Sequence, residues 1–198
     1  MSVFDKVKKQ LLERGYSVKV FSTGAQAAEY LDRELDGVTV GIGGSATVRD
    51  IGLFERLEKH NTVFWHWKQE ADPARMNAMT ADVYLSSANA LAETGEIVNM
   101  DGNCNRVAAT LFGHKKLYFL IGRNKLVPTY EDAVWRTRNV ASPKRAQQMK
   151  VNTPCAAKAD RCYDCKSPGR ICRGLVSLLG PSMAMVTEVI LIDEDLGL

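Results

Sequence analysis

No stretch of this 198-residue chain is apolar for long enough to cross a bilayer. Val186 to Ile192, a run late in the chain rich in valine and isoleucine, spans only seven residues. The opening lacks a signal-peptide pattern, since Met1 to Gln10 mixes Asp5, Lys6, Lys8 and Lys9 with apolar residues at helical spacing. Membrane insertion and export are therefore not expected, and the reading is of a cytoplasmic protein. A dominant charge is also missing. Lys and Arg number 26 against 23 Asp and Glu, and the resulting +3 is spread along the chain. Such a balance leaves no footprint for nucleic acid, and runs such as Lys6-Val7-Lys8-Lys9 read as the wet face of a helix. Repeats, low-complexity tracts and Pro/Gly/Ser linkers are absent, so residues 1–198 read as one domain. Histidine is scarce: His60, His66 and His114 stand apart, and none has a partner at metal-ligand spacing.

What the chain does contain is an alternation of helical and β-like segments. Val3, Val7 and Leu11 mark one face of a helix that closes near Gly15. Residues 17–21 and 38–42 read as strands, with an amphipathic helix from Ala25 to about Leu35 between them. Thr62 to Trp67 is β-rich, and alternation in a strand accounts for Trp65, His66 and Trp67. Asp72-Pro73 reads as a helix start, Asp82 to Ser86 as a strand, and Leu117 to Ile121 as a central parallel strand apolar on both faces. Thr129 and Ser142-Pro143 each begin a helix, and Val186 to Ile192 supplies a last strand. The expected fold is α/β, a mostly parallel sheet with helices on both faces.

Three segments carry candidate chemistry. The first is the turn Gly41-Ile42-Gly43-Gly44-Ser45-Ala46-Thr47 at the carboxyl end of a strand. Glycines there let the backbone approach an anion, and Ser45 and Thr47 add hydroxyl donors. Neither a dinucleotide fingerprint nor a Walker lysine is complete, and a tight turn capped by Ser45 explains the same residues without a ligand.

The second is the polar block from Ser86 to Arg106, which runs directly into the apolar stretch Val107 to Phe112. Its acids and amides are expected to meet at the edge of the core. Glu93 or Asp101 would serve as general base or nucleophile, Arg106 as an anion clamp, and Asn99 and Asn105 as polarising donors. Residue by residue a plainer account is available, with Glu93-Thr94-Gly95-Glu96 as a hairpin turn and Arg106 paired to Asp101.

The third is a C-x6-C-x2-C-x6-C array, Cys155, Cys162, Cys165 and Cys172, within a cysteine-rich segment at 152–175. In a reducing compartment this clustering favours a metal over structural disulfides. Its spacing suits a 4Fe–4S cluster or a Zn2+ ion equally well. Arg161, Lys166, Arg170 and Arg173 would offset the charge of four thiolates.

GIGGSATVRDIGL, SSANALAETGEIVNMDGNCNRVAATLFG, IGRNKLV, RTRNVASPKRA, the cysteine segment and the closing EDLGL resemble the lactate utilisation domain (LUD) family, in order and over nearly the whole chain. The resemblance implies a fold related to CoA-transferases and ribose-5-phosphate isomerases. It also implies a link to the oxidation of L-lactate to pyruvate alongside iron–sulfur partner proteins, and that link tips the cysteine array toward the 4Fe–4S cluster. By position, the anion-binding turn falls on Gly43, Gly44 and Ser45, and the signature polar residues on Asn89, Glu93, Glu96, Asn99, Asp101, Asn105, Arg106 and Lys125. Ala92 and Cys104 depart from the pattern, the latter standing where the family has glycine.

The resulting expectation is a protein that binds a small anionic metabolite at the glycine turn. Two other readings stand beside it: a non-catalytic iron–sulfur or zinc accessory subunit, and an isomerase or transferase acting on a phosphorylated or CoA-linked metabolite. The residues do not decide whether the chain is itself an enzyme, and leave both a monomer and a homo-oligomer open.

Overall fold

The computed structural model describes residues 3–198, so Met1 and Ser2 of the N-terminal reading lie outside the described residues. Ten strands form two sheets: β1 Ser17–Phe21, β2 Thr39–Ile42, β3 Thr62–Phe64, β4 Val83–Ser86, β5 Ala90–Ala92, β6 Ile97–Asp101, β7 Lys116–Gly122, β8 Leu126–Val127, β9 Gly174–Leu178 and β10 Val186–Ile192. Nine α-helices accompany them: α1 Asp5–Glu13, α2 Gly24–Glu34, α3 Ala46–Asp50, α4 Leu53–Leu57, α5 Ala71–Ala78, α6 Asn105–Ala109, α7 Tyr130–Arg136, α8 Ser142–Gln148 and α9 Pro154–Lys158.

The larger sheet is parallel throughout, in the order β1-β10-β7-β4-β2-β3. Its central strands read as continuous apolar runs because helices or a second sheet cover both faces. On one face Ala27, Ala28 and Leu31 of α2 and Val48, Leu53 and Leu57 of α3 and α4 pack on Val40, Leu85, Leu120 and Ile190. On the other, Val7 and Leu11 of α1 share a core with Phe119, Ile121 and Leu191. Thr23 opens α2 with a reciprocal capping box to Gln26.

The smaller sheet, ordered β8-β5-β6-β9, was not expected. It lies between the large sheet and α7: Leu91 and Ile97 face the core shared with α1, while Ala90, Ala92 and Val98 pack under Ala133 of α7. Its strands are short, and β5 is buried on both sides, so no alternation marks it in the sequence.

Other local expectations are corrected. Val3 is exposed and Phe4 takes the buried place at the start of α1. The strand expected to run to Trp67 stops at Phe64, and Trp65, His66 and Trp67 form a turn. The helix after Arg106 ends at Ala109, and Leu111 and Phe112 are exposed rather than buried. Helix α5 starts at Ala71, one residue before the expected cap. No helix among the described residues is long and apolar enough to cross a membrane.

Leu120 sits on a central strand with no exposed surface. Leu120→Ala is expected to cost about 3 kcal/mol of stability, because the rigid sheet cannot close the cavity. In a thermal melt followed by circular dichroism this lowers Tm by roughly 6–12 °C. An unchanged Tm would mean that the core has been misassigned.

Candidate functional site

Strands β2, β4 and β7 end side by side, and the chain leaves them into Gly43–Ser45, Ser87–Asn89 and Arg123–Lys125. A cleft of about 320 Å³ opens there, at the carboxyl edge where open α/β sheets bind ligands. Gly44, Ser45, Asn89, Asp101, Asn105, Arg106 and Lys125 line it. The glycine turn and the polar block therefore share one cavity. Gly43, Thr47 and Asn99 are not in the lining but touch it, Gly43 through the Arg106 stem, Thr47 through Lys125 and Asn99 through the Arg106 guanidinium. Glu93 and Glu96 do not reach it: Glu93 pairs with Lys6 at 2.6 Å, and Glu96 is bound by Arg14 and Thr94. Their tetrapeptide is the tight turn of the β5–β6 hairpin.

Arg106 holds the cleft together. Its guanidinium donates to Asn99 Oδ1 at 2.5 Å, to the Met100 carbonyl at 2.7 Å, to Asn89 Oδ1 at 3.4 Å and to the Ser87 carbonyl at 3.5 Å. Most of its five N–H groups are thus committed to the protein. Its stem lies so close to Gly43 that a Cβ there would fall 2.8 Å from Cγ, which accounts for the glycine. Asp101 is likewise committed, since Oδ2 accepts the backbone N–H groups of Arg106 at 3.1 Å and Val107 at 3.3 Å. It caps α6 across the residue Cys104, whose φ of 63° is unusual for a side-chain-bearing residue and costs about 1–2 kcal/mol. Asp101 therefore acts as a cap and Arg106 as a frame, instead of the free base and free clamp expected from the sequence. Ser45 is occupied too, accepting the Val48 N–H at the start of the five-residue helix α3.

Lys125 is the group left available. It is 3% exposed, and its ammonium donates to Thr47 Oγ1 and to Ser87 Oγ, each at 2.8 Å. Thr47 in turn donates to the Leu196 carbonyl at 3.3 Å. The chain's last turn seals this corner: Gly197 adopts a φ of +65°, and a Cβ on it would lie 2.8 Å from Thr47 Oγ1 and 3.2 Å from Lys125 Nζ. No carboxylate bonds to Lys125. Burial, reinforced by Arg136 and Arg106, pushes its ammonium down to about 7, against a weaker pull from Asp50.

Several cleft residues escaped the sequence reading. Arg145 enters from α8, has no carboxylate partner among the described residues, and stacks 4.9 Å over Trp67. Burial, with Arg49 and Arg106 nearby, holds its acidity above that of a free guanidinium. Arg75 also lines the cleft, and its Nε–H is buried without a partner. Burial, with Arg75 nearby, holds the His66 imidazole below its ordinary range. Trp65 ties this aromatic turn to the glycine turn, donating from Nε1 to the Gly43 carbonyl at 3.0 Å. A π-helical turn, Thr137–Ala141, joins α7 to α8 and sets the direction in which Arg145 projects. Only Arg145 had a signal in the sequence, as part of the RTRNVASPKRA segment.

The lining thus carries Arg75, Arg106, Lys125 and Arg145 against the single carboxylate of Asp101. Met100, Ser142 and Ile171 separate it from a second cavity of about 240 Å³, which Cys155, Cys162, Cys165 and Cys172 line.

The buried amine makes stability depend on pH. Because the folded value lies below the unfolded one, the unfolded chain holds the proton more tightly between about 7 and 10.5. The burial cost is complete below that window and gone above it. Wild-type stability relative to Lys125→Met should therefore rise as pH climbs from about 7 to about 10. Urea denaturation of both proteins across this range measures it, and a difference independent of pH would show that Lys125 is not buried as a charge.

A comparison with curated proteins finds no match. Among solved structures, the chain is similar to a DUF162 family protein from Deinococcus radiodurans, with 14% identity, 94% of each chain covered and a TM-score of 0.55. At that identity the likeness establishes the fold. The family model for the LUD domain matches residues 4–192. The chain belongs to the LUD domain family, which is associated with lactate utilisation.

Proposed function

We propose that the cleft binds a small metabolic anion of the lactate–pyruvate class and that the chain takes part in the oxidation of L-lactate to pyruvate. The observation that carries this reading is the charge of the lining: four basic side chains meet one carboxylate there, and among the described residues only Arg75 and Arg106 have acidic partners, Asp72 at 2.7 Å and Asp101 at 3.8 Å. Lys125 and Arg145 have no acidic partner, and a buried cation is costly until an anion joins it. A carboxylate between them would accept charge-assisted hydrogen bonds and satisfy the Arg75 Nε–H as well. A cleft of about 320 Å³ suits a small molecule better than a polymer. Membership of the LUD family supplies the lactate connection.

On this reading the groups around the anion have distinct duties. Arg145, on its Trp67 shelf, grips the carboxylate. Arg106, Asn89 and Asn99 fix the loop geometry, and Asn105 faces the ligand from the start of α6. Lys125, poised near neutrality between Thr47 and Ser87, is the side chain suited to exchange a proton with the substrate's hydroxyl or carbonyl. Lactate oxidation releases two electrons, and this reading assigns their removal to iron–sulfur partner proteins.

Binding should be coupled to protonation of Lys125, because a neighbouring anion favours the ammonium. Affinity for pyruvate, measured by calorimetry, is expected to hold below about pH 7 and to weaken above it by up to about tenfold per pH unit. A flat profile would remove Lys125 from the binding event.

A thermal-shift panel of lactate, pyruvate, sugar phosphates and CoA thioesters tests the ligand class through mass action. Stabilisation by pyruvate or lactate supports the reading. Stabilisation by phosphorylated or CoA-linked compounds alone would transfer it to isomerase or transferase chemistry. Arg145→Ala should weaken the pyruvate response by about tenfold or more, whereas Glu93→Gln, altering only the surface pair with Lys6, should leave it unchanged.

A further inference from the structure

We propose that Cys155, Cys162, Cys165 and Cys172 hold a 4Fe–4S cluster in the second cavity, against the back wall of the anion cleft. This assignment is independent of which anion the cleft takes.

The first observation is topological. All four thiols are free and line one cavity, although seventeen positions separate the first from the last in the chain. The second concerns the segment that carries them. Residues 159–173 contain no helix or strand and bury no side chain. Such a stretch cannot hold itself in place by a core of its own, and needs an internal staple. Protein contacts supply only a few ties, among them Cys162 N–H to Asn139 Oδ1 at 3.1 Å, Ser167 Oγ to the Asn152 carbonyl at 2.7 Å, Arg173 N–H to the Asp101 carbonyl at 3.0 Å, and the exposed pair of Asp164 with Arg138 at 3.2 Å.

The third observation is the direction of hydrogen-bond donors. Asp164, between the two central cysteines, adopts a φ of 47°, and this turn aims its N–H at Cys162 Sγ, 3.4 Å away. Arg170 Nε donates to Cys172 Sγ at 3.3 Å, Arg138 approaches Cys162 Sγ at 3.9 Å, and Thr153 Oγ1 lies 3.3 Å from Cys155 Sγ. Donors trained on sulfur are the outer contacts that orient and tune thiolate-bound metals. Arg138, Arg170 and Arg173 in the cavity wall balance the negative charge of four such ligands. Inert thiols or a pair of disulfides would need none of this.

Size separates a cluster from a single ion. Zinc draws four sulfurs to about 2.3 Å from one point and leaves no space among them. Here the cysteines stand around a void of about 240 Å³. In a 4Fe–4S cluster each thiolate takes a different iron, so the ligands surround the guest. On ligation the four thiols release their protons.

The full chain should be purified without oxygen and reconstituted with ferrous iron and sulfide. About four irons and four sulfides per chain, with a broad visible absorption bleached by dithionite, are the expected result. Cys162→Ser and Cys172→Ser should each lose most of that iron, while Cys104→Gly, outside the array, keeps it. Folded apo-protein, checked by circular dichroism, that takes up less than about one iron overturns the proposal. So does a colourless product carrying about one zinc, which would make the site a structural tetrathiolate.

Discussion

The guanidinium of Arg106 is the interaction on which the candidate site depends. It gathers oxygen acceptors from the loop after β4 and from β6, a strand of the smaller sheet, while the stem that carries it packs against Gly43 of the glycine turn. Three segments distant in sequence are thereby fixed in one place. A side chain at position 43 or a shorter one at position 106 would leave buried carbonyl and amide oxygens without donors, a cost that falls on the whole cleft. Because Arg106 and Asp101 are spent on this framework, the capacity to meet a ligand passes to Lys125 and Arg145.

Much of the large sheet was legible in the amino-acid order. Its strands are apolar on both faces, its helices carry Ala27, Ala28 and Leu31 or Val7 and Leu11 at helical spacing, and Thr129 marks the start of α7 by its side-chain bond to Asp132. The small sheet was not. Ala90-Leu91-Ala92 is a strand because Leu91 faces one core and the two alanines another, a relation that no local pattern expresses. Part of the polar block lines the cleft, yet its acids are bonded within the protein. Glu96 anchors the end of α1 through Arg14, and Asp101 caps a helix that begins after a left-handed cysteine. Which polar group is spent internally depends on partners drawn from across the chain, such as Arg14.

The aromatic turn illustrates the same point. Trp65-His66-Trp67 alternates as a strand would, but Gln69 accepts the Trp65 N–H and donates to the Val63 carbonyl, folding the chain back. Trp65 is then buried and Trp67 becomes the shelf for Arg145. Charge that the composition showed only as a diffuse +3 is concentrated by the fold at one edge of the sheet.

Met100 belongs to both chambers, and its thioether lies 3.3 Å from Ser142 Oγ, which donates to the Thr137 carbonyl at 2.7 Å. That partition rests on a soft, oxidisable atom. Conversion of Met100 to its sulfoxide would put a polar, bulkier group into the shared wall, and the damage would be reversible by the reductases that act on such lesions. Peroxide exposure would then disturb the cationic chamber and the thiol chamber together, making this one sulfur a point of oxidative vulnerability for both.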